Sequence, residues 1–356
     1  MMPLPWLVLA ATALSLAMPP VAAAQAAATG SDALAVAAVP PLFARDSPLV
    51  ATFSANLRRL RADRDSNPPW RQATITYTSD TGRVVIQARA RTRGIWRLKN
   101  CAFPPLRLDF PGKSTRGTVF HHLGRPKLVN FCKDTDQYDQ YILQEFQLYR
   151  IYQLLTPVSY RVRLLKMTYV DSASGRTDAT RWAFVAEDPE RLATRMQGAV
   201  MKTQGATADD LEPEQLALAY LFEYMIGNTD FSFNRLHNTQ LIGTSDGRLL
   251  PVAYDFDYAG AVNAEYAVPD PHLRIRSVRT RMFRGYCAIS AEYPKLLPLF
   301  RDKKPAIYAL YRDQIGQLLD ARRVRETLAY FDEFYDLIAT TASAQSAFLD
   351  SCVGPH

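Results

Sequence analysis

The chain has 356 residues, 48% apolar and 22% charged, which is material for a large core and excludes general disorder. Its length corresponds to about two domains or lobes. The 42 Lys and Arg exceed the 35 Asp and Glu by 7, which suits anionic ligands but falls well short of a nucleic-acid-binding signature, so no nucleic acid partner is expected.

Leu4 to Ala24 is an uncharged apolar stretch ending in Pro19, Pro20 and a run of alanines, the pattern of a secretory signal peptide cleaved near Ala24 or Ala26. An uncleaved anchor is the rival reading, although Pro5, Pro19 and Pro20 confine its uninterrupted part to less than the roughly 20 residues of a span. The expected organisation is a signal peptide over 1–24, a flexible tail over 25–46, a strand-rich lobe over 47–203 and a helical lobe over 204–356. Four cysteines in an exported chain read as two disulfides, Cys101 with Cys132 and Cys287 with Cys352. The first pair brackets neighbouring strand-like segments and the second ties a loop to the chain end. Four reduced, buried thiols are the alternative. The expected location is the bacterial periplasm or the medium, with peripheral membrane association compatible with it.

Phe53, Leu57 and Leu60 have helical spacing. Ala73 to Tyr77 and Arg83 to Arg91 read as strands joined by the turn Ser79-Asp80-Thr81-Gly82, and the second alternates strictly. Leu106 to Phe110 and Lys127 to Phe131 are shorter strands. A helix follows over Asp139 to Leu155, stopped by Thr156-Pro157. Arg161 to Val170 and Arg181 to Glu187 form a hairpin, and Val200 to Lys202 is expected to close this first sheet. In the second half an apolar helix over Leu211 to Ile226 ends at Gly227, a natural cap. Thr239 to Ile242 and Leu250 to Ala253 are strands, and two helices, Pro305 to Leu319 and Arg323 to about Ala347, finish the chain.

The densest polar information lies between Gly227 and Gly260. Asp230 follows the apolar helix, Asn238 directly precedes a strand, and Asp255 and Asp257 directly follow one. Carboxylates at strand ends are anchored in position and supply the hard oxygen ligands that a divalent cation takes. Upstream, Arg89, Arg91, Arg93, Arg97 and Lys99, and downstream Arg274, Arg276, Arg279, Arg281 and Arg284, either line an anionic site or clothe a wet surface.

This order of residues resembles the spore-coat CotH family of atypical kinases, with a more distant similarity to HipA-type kinases through Gly-Asn-Thr-Asp and Tyr-Asp. The matching features are Arg93-Gly94 after a strand, Glu145 in the long helix, a hairpin ending at Glu187, Asn228-x-Asp230, Asn238 before a strand, and Asp255-x-Asp257. The resemblance implies an α+β, protein-kinase-like two-lobed fold, strand-rich then helix-rich, that uses ATP or another nucleotide with Mg2+ or Mn2+. It implies that Asp230 orients or deprotonates the acceptor hydroxyl, and that Asn238, Asp255 and Asp257 serve the metal. Lys127 and Glu145 would form the pair that steadies the nucleotide phosphates, with Glu187 and Arg107 beside the nucleotide.

The chain departs from that pattern. Asp230 and Asn238 are eight residues apart, which keeps Asn234 as a rival ligand, and no Gly-rich loop is present. Lys202 is the fallback for Lys127. The expected function is an exported phosphotransferase acting on an unknown protein or envelope acceptor. The alternative is a non-catalytic, pseudokinase-like envelope protein binding an anionic ligand or partner. A metal-dependent hydrolase using Asp230, Asp255 and Asp257 is a third reading.

Overall fold

Strand β1 (Leu49–Ala55) turns Ala51, Phe53 and Ala55 inward, and this short alternation decides the architecture. A computed structural model of the chain describes residues 39–354; the expected signal peptide lies outside them. A 3-10 turn, Pro41–Ala44, lies inside the stretch expected to be a flexible tail, and its Leu42 is buried. Strand β1 pairs antiparallel with β2 (Arg71–Ser79). After β3 (Gly82–Thr92), β4 (Leu106–Asp109) and β5 (Lys127–Val129), the hairpin β6 (Val162–Asp171) and β7 (Thr177–Ala186) returns, and β1 also pairs parallel with β6. The seven strands therefore close into a barrel in the order β1-β2-β3-β4-β5-β7-β6.

That closure corrects the expected two-lobed, protein-kinase-like fold: the chain is a mixed α+β protein, but its strands form a closed barrel accompanied by a separate three-stranded sheet and helices. The helical spacing of Phe53, Leu57 and Leu60 concealed the seventh strand. Phe53 belongs to β1, while Leu57 and Leu60 are buried by helix α1 (Leu57–Ala62), capped by Asn56. A strand that pairs on both sides removes the open edge that a sheet would otherwise leave.

The next helices are α2 (Trp96–Asn100), α3 (Asp136–Leu155) and α4 (Pro189–Arg195). Strand β8 (Gly198–Met201), expected to close the first sheet, instead joins the small one: it pairs with β9 (Thr239–Thr244), which pairs with β10 (Leu249–Ala253). Helix α5 (Pro213–Ile226) buries residues all around its axis, as its continuous apolar sequence requires. Helix α6 (Tyr293–Ala309) starts earlier than expected, with Pro294 in its first turn and Pro305 inside it. Then α7 (Ala321–Leu337) and α8 (Thr341–Phe348) replace the single last helix. Helix α3 packs against β6 and β7 on one side and α5 and α6 on the other. It therefore connects the barrel to the helices.

Both disulfides form as expected, Cys101 to Cys132 and Cys287 to Cys352, closing 31 and 65 residues. In the chain-entropy view each restricts the unfolded state by about 4 kcal/mol. Non-reducing intact-mass analysis with alkylation is expected to find no reactive thiol among the four. At the end of α5, Gly227 caps the helix with φ 68°, and a Cβ there would run into the Tyr330 hydroxyl. Gly227→Ala is expected to lose at least the roughly 1–2 kcal/mol of a left-handed alanine, read as a lower urea midpoint; an unchanged midpoint would remove the cap from the argument.

Candidate functional site

Four segments converge where the barrel meets the helices. Arg93 directly follows strand β3, and its N–H donates to Pro105 O at 2.9 Å. Gly94 follows at φ 96°, a conformation that glycine adopts without strain, and it turns the chain into α2. Adjacent strands β4 and β5 place Arg107 opposite Lys127. The cap at Gly227 releases the chain into Asn228 and Asp230, and the Asn228 side-chain oxygen accepts from the Asp230 N–H at 3.0 Å. The β9–β10 hairpin brings Asn238 and Asp255 together from its two ends, with Tyr254 N–H donating to Asn238 O at 3.0 Å.

These segments line a cavity of about 570 Å³ bounded by Arg93, Arg97, Arg107, Lys127, Asp230, Asn238, Asp255 and Asp257, with Ile95, Trp96, His237 and Tyr258 among its other walls. Two other depressions have similar volumes, about 610 and 530 Å³, so size does not choose among them. Lining chemistry does: this cavity sets a basic wall from the barrel against three carboxylates and an amide from the helical side.

Asn238 (φ 51°) and Asp255 (φ 67°) both occupy the left-handed region, a backbone cost that persists where surrounding structure imposes it. Asn238 uses its Nδ2 to donate to Asp230 O at 2.8 Å and Oδ2 at 3.0 Å, so its amide oxygen is the atom left to accept a ligand. Asp255 N–H donates to the Tyr149 hydroxyl of α3 at 2.9 Å, leaving its carboxylate as the variable group. His237 Nε2 donates to Asp230 Oδ1 at 2.9 Å, and that bond raises the imidazole pKa, with Asp255 adding to it. Arg284 secures the loop by donating to Thr229 O and Phe231 O at 2.6 and 2.9 Å.

The floor is electrostatically crowded. Asp257, 5% exposed, is pushed up to about 6, first by burial and then by Asp255. Glu145, 1% exposed, is raised well above its ordinary range by burial, Asp257 and Asp255, and among the described residues its Oε1 has no hydrogen-bond partner. Arg97 answers them. Burial alone would lower it, but Tyr266, Asp257, Glu145 and Asp255 together hold it above its ordinary value. Lys127 lies over the Tyr254 ring at 3.5 Å and is lowered from 10.5 to about 7 by burial, then by Arg93.

A divalent cation fits this donor set: Asn238 Oδ1 and the Asp255 carboxylate offer hard oxygens, and mutually destabilised carboxylates are what a cation relieves. Among the described residues no three His, Cys, Asp or Glu side chains form a ready-made metal group, so water and ligand oxygens would complete the shell.

Six of the eight sequence-derived site residues, Arg107, Lys127, Asp230, Asn238, Asp255 and Asp257, line the cavity. Glu145 lies close enough to raise the pKa of Arg97 and to oppose the lowering at Lys127, yet among the described residues no ion pair joins it to Lys127. Glu187 is elsewhere, accepting from Arg195 Nη2 at 3.1 Å and from the Arg161 N–H at 3.2 Å. Asn234 ties down Ala206 O instead of reaching the cavity, and Lys202 is exposed on β8's end. Arg279, Arg281 and Arg284 donate to backbone carbonyls, while Arg274 and Arg276 are exposed. Sequence reasoning passed over His237, Trp96 and Tyr258. The adjacency of His237 to Asn238 was the available signal for the first.

No family model matches the chain, and no curated protein sequence matches it.

Because Lys127 is lowered in the folded state, its charge penalises folding fully below about pH 7, and the penalty disappears as pH rises past the ordinary 10.5. Lys127→Met is therefore expected to melt higher than the parent at pH 6, by about 2 °C or more, with the gap closing towards pH 10. Equal melting at pH 6 would contradict the assignment.

Proposed function

We propose that this cavity binds a nucleotide with Mg2+ or Mn2+ and transfers its terminal phosphoryl group to an acceptor hydroxyl on a protein or envelope molecule. The supporting observation is the convergence of Lys127, Asp230, Asn238 and Asp255, from separate segments, on one cavity whose two walls carry opposite charge. The reading takes its chemistry from the CotH-like order of residues and does not depend on a kinase-like fold.

In this reading Arg93, Arg107 and Lys127 face the phosphate oxygens. A cation, when bound, would supply charge neutralisation. Asn238 and Asp255 would hold it, and Asp257, tied by the Tyr266 hydroxyl at 3.0 Å, would orient the inner ligands. Asp230, itself positioned by His237 and Asn238, orients the acceptor hydroxyl and takes its proton. Positioning and charge, rather than a covalent enzyme intermediate, carry the reaction.

The two disulfides accord with an extracytoplasmic protein, and among the described residues no helix is long and apolar enough to cross a membrane. The proposed location is the periplasm or the medium after signal-peptide cleavage. A second reading, a non-catalytic binder of an anionic ligand, rests on the basic wall alone.

Asp255→Ala is expected to weaken Mg2+-dependent nucleotide binding in calorimetric titration by about tenfold or more, and equal affinity would remove Asp255 from the metal. Asp230→Asn is expected to keep nucleotide binding within a few-fold while phosphoryl transfer falls by roughly 10²-fold. Unchanged transfer refutes its role; loss of binding together with transfer moves Asp230 into the metal shell. A parent that binds nucleotide without any transfer leaves the non-catalytic reading in force.

A further inference from the structure

The cavity rim carries an apolar feature that phosphate and metal binding do not use. Directly after Gly94, Ile95 is 79% exposed and Trp96 is 40% exposed, and both line the cavity. A large apolar pair left in water at the mouth of a charged site is costly and is explained when a ligand covers it. The indole is held rather than loose: Tyr266 stacks on it at 5.4 Å between centroids with planes 28° apart, and Tyr258 meets it edge-on at 6.3 Å. Tyr266 is in turn stacked by Tyr138 of α3 at 5.9 Å. The aromatic rim is thus anchored to the protein interior and presents a rigid surface.

Its position relative to the charged walls selects what would lie on it. The Tyr266 hydroxyl donates to Asp257 Oδ2 at 3.0 Å and Tyr258 directly follows Asp257, so the aromatic rim adjoins the carboxylate wall that also carries Asp230 and its partner His237. Lys127, by contrast, lies opposite Arg107 in the β4–β5 pair and over the Tyr254 ring at 3.5 Å. In the proposed reaction the Lys127 side takes the phosphates, so the Trp96 side takes the acceptor.

We propose that Ile95, Trp96 and Tyr258 form an acceptor subsite for a sugar ring, which rests its C–H face on the Trp96 indole and turns a hydroxyl towards Asp230. A pyranose combines the two things the rim offers, an apolar face for an aromatic ring and adjacent hydroxyls for a carboxylate and an imidazole. A serine or threonine in an extended peptide brings the hydroxyl but no flat apolar face to cover the indole. The subsite rests on the phosphotransfer reading for its role, while its ligand binding is measurable without nucleotide. In the transfer step the sugar oxygen forms a bond to the terminal phosphorus, the bond to the nucleotide's bridging oxygen breaks, the nucleoside diphosphate leaves with that electron pair, and the hydroxyl proton passes to Asp230.

The test titrates the full mature chain, without nucleotide or metal, with tetrasaccharides of glucose and of N-acetylglucosamine and with a serine-containing peptide, following tryptophan fluorescence and heat. A saccharide is expected to bind, Trp96→Ala to weaken it about tenfold or more, Trp96→Phe to recover most of that loss, and Ile95→Ser to weaken it by a smaller factor. Thermal melts of each variant exclude unfolding as the cause. The proposal is overturned if neither saccharide binds, if Trp96→Ala leaves saccharide affinity unchanged, or if the peptide alone binds in a Trp96-dependent way. It is also overturned if Trp96→Ala weakens Mg2+-nucleotide binding by the same factor, because the indole would then stack on the base. Trp96-dependent saccharide binding in a protein that transfers no phosphate sustains the subsite and rejects the phosphotransfer reading alone.

Discussion

A guanidinium largely withdrawn from water holds this cavity together. Arg97 lies in α2, on the rim that follows β3, yet its charge is opposed by Asp257 from beyond β10 and Glu145 from α3; Asp257 Oδ2 is 3.9 Å from its Nη1. A cation withdrawn from water is expensive unless several opposite charges and hydrogen bonds compensate it. Here the compensation comes from two separate parts of the chain, together with Asn130 O, which accepts from Nη2 at 2.6 Å. Moving any one of these segments away would leave either an unpaired arginine or a pair of adjacent buried carboxylates. The cluster therefore makes the rim, the central helix and the small hairpin depend on one another.

The covalent and backbone framework supports the same junction. Cys101 directly follows α2 and is bonded to Cys132, shortly after β5, so the disulfide fixes the rim to the strand that carries Lys127. Phe103 N–H donates to Cys132 O at 3.3 Å, and Asn130 Nδ2 donates to Pro104 O at 3.2 Å. Barrel closure through β1 means that these strands have no free edge along which to shift. On the opposite wall, the left-handed residues Asn238 and Asp255 and the capped end of α5 hold the cavity-facing groups with little freedom. Rigid walls of opposite charge suit chemistry that depends on positioning.

Several features of the chain were legible locally. The strict alternation in β3, the apolar run of α5 ending at Gly227, the turn between β2 and β3, and both cysteine pairings follow from periodicity, turn chemistry and spacing. Asp230, Asn238, Asp255 and Asp257 were recognisable because each stands within a few residues of the end of a regular element, which anchors its position. The expected Lys127–Glu145 pair and the role for Glu187 came from resemblance, and neither follows from the geometry: Lys127 settles over Tyr254, and Glu187 is engaged by Arg195.

What the sequence by itself determined is the set of local elements and the residues at their ends, because hydrogen-bonding periodicity and turn preferences act over a few neighbours. The tertiary structure alone decided that β1 closes a barrel, since its pairing with β6 joins residues more than a hundred positions apart, such as Leu49 and Leu165. It alone decided that Arg97 is set among carboxylates, that His237 serves Asp230, and that Trp96 stands on an aromatic base at the cavity mouth. These outcomes depend on which distant groups share a region from which water is excluded, and neither charge pairing nor aromatic stacking across such distances leaves a periodic trace in the chain.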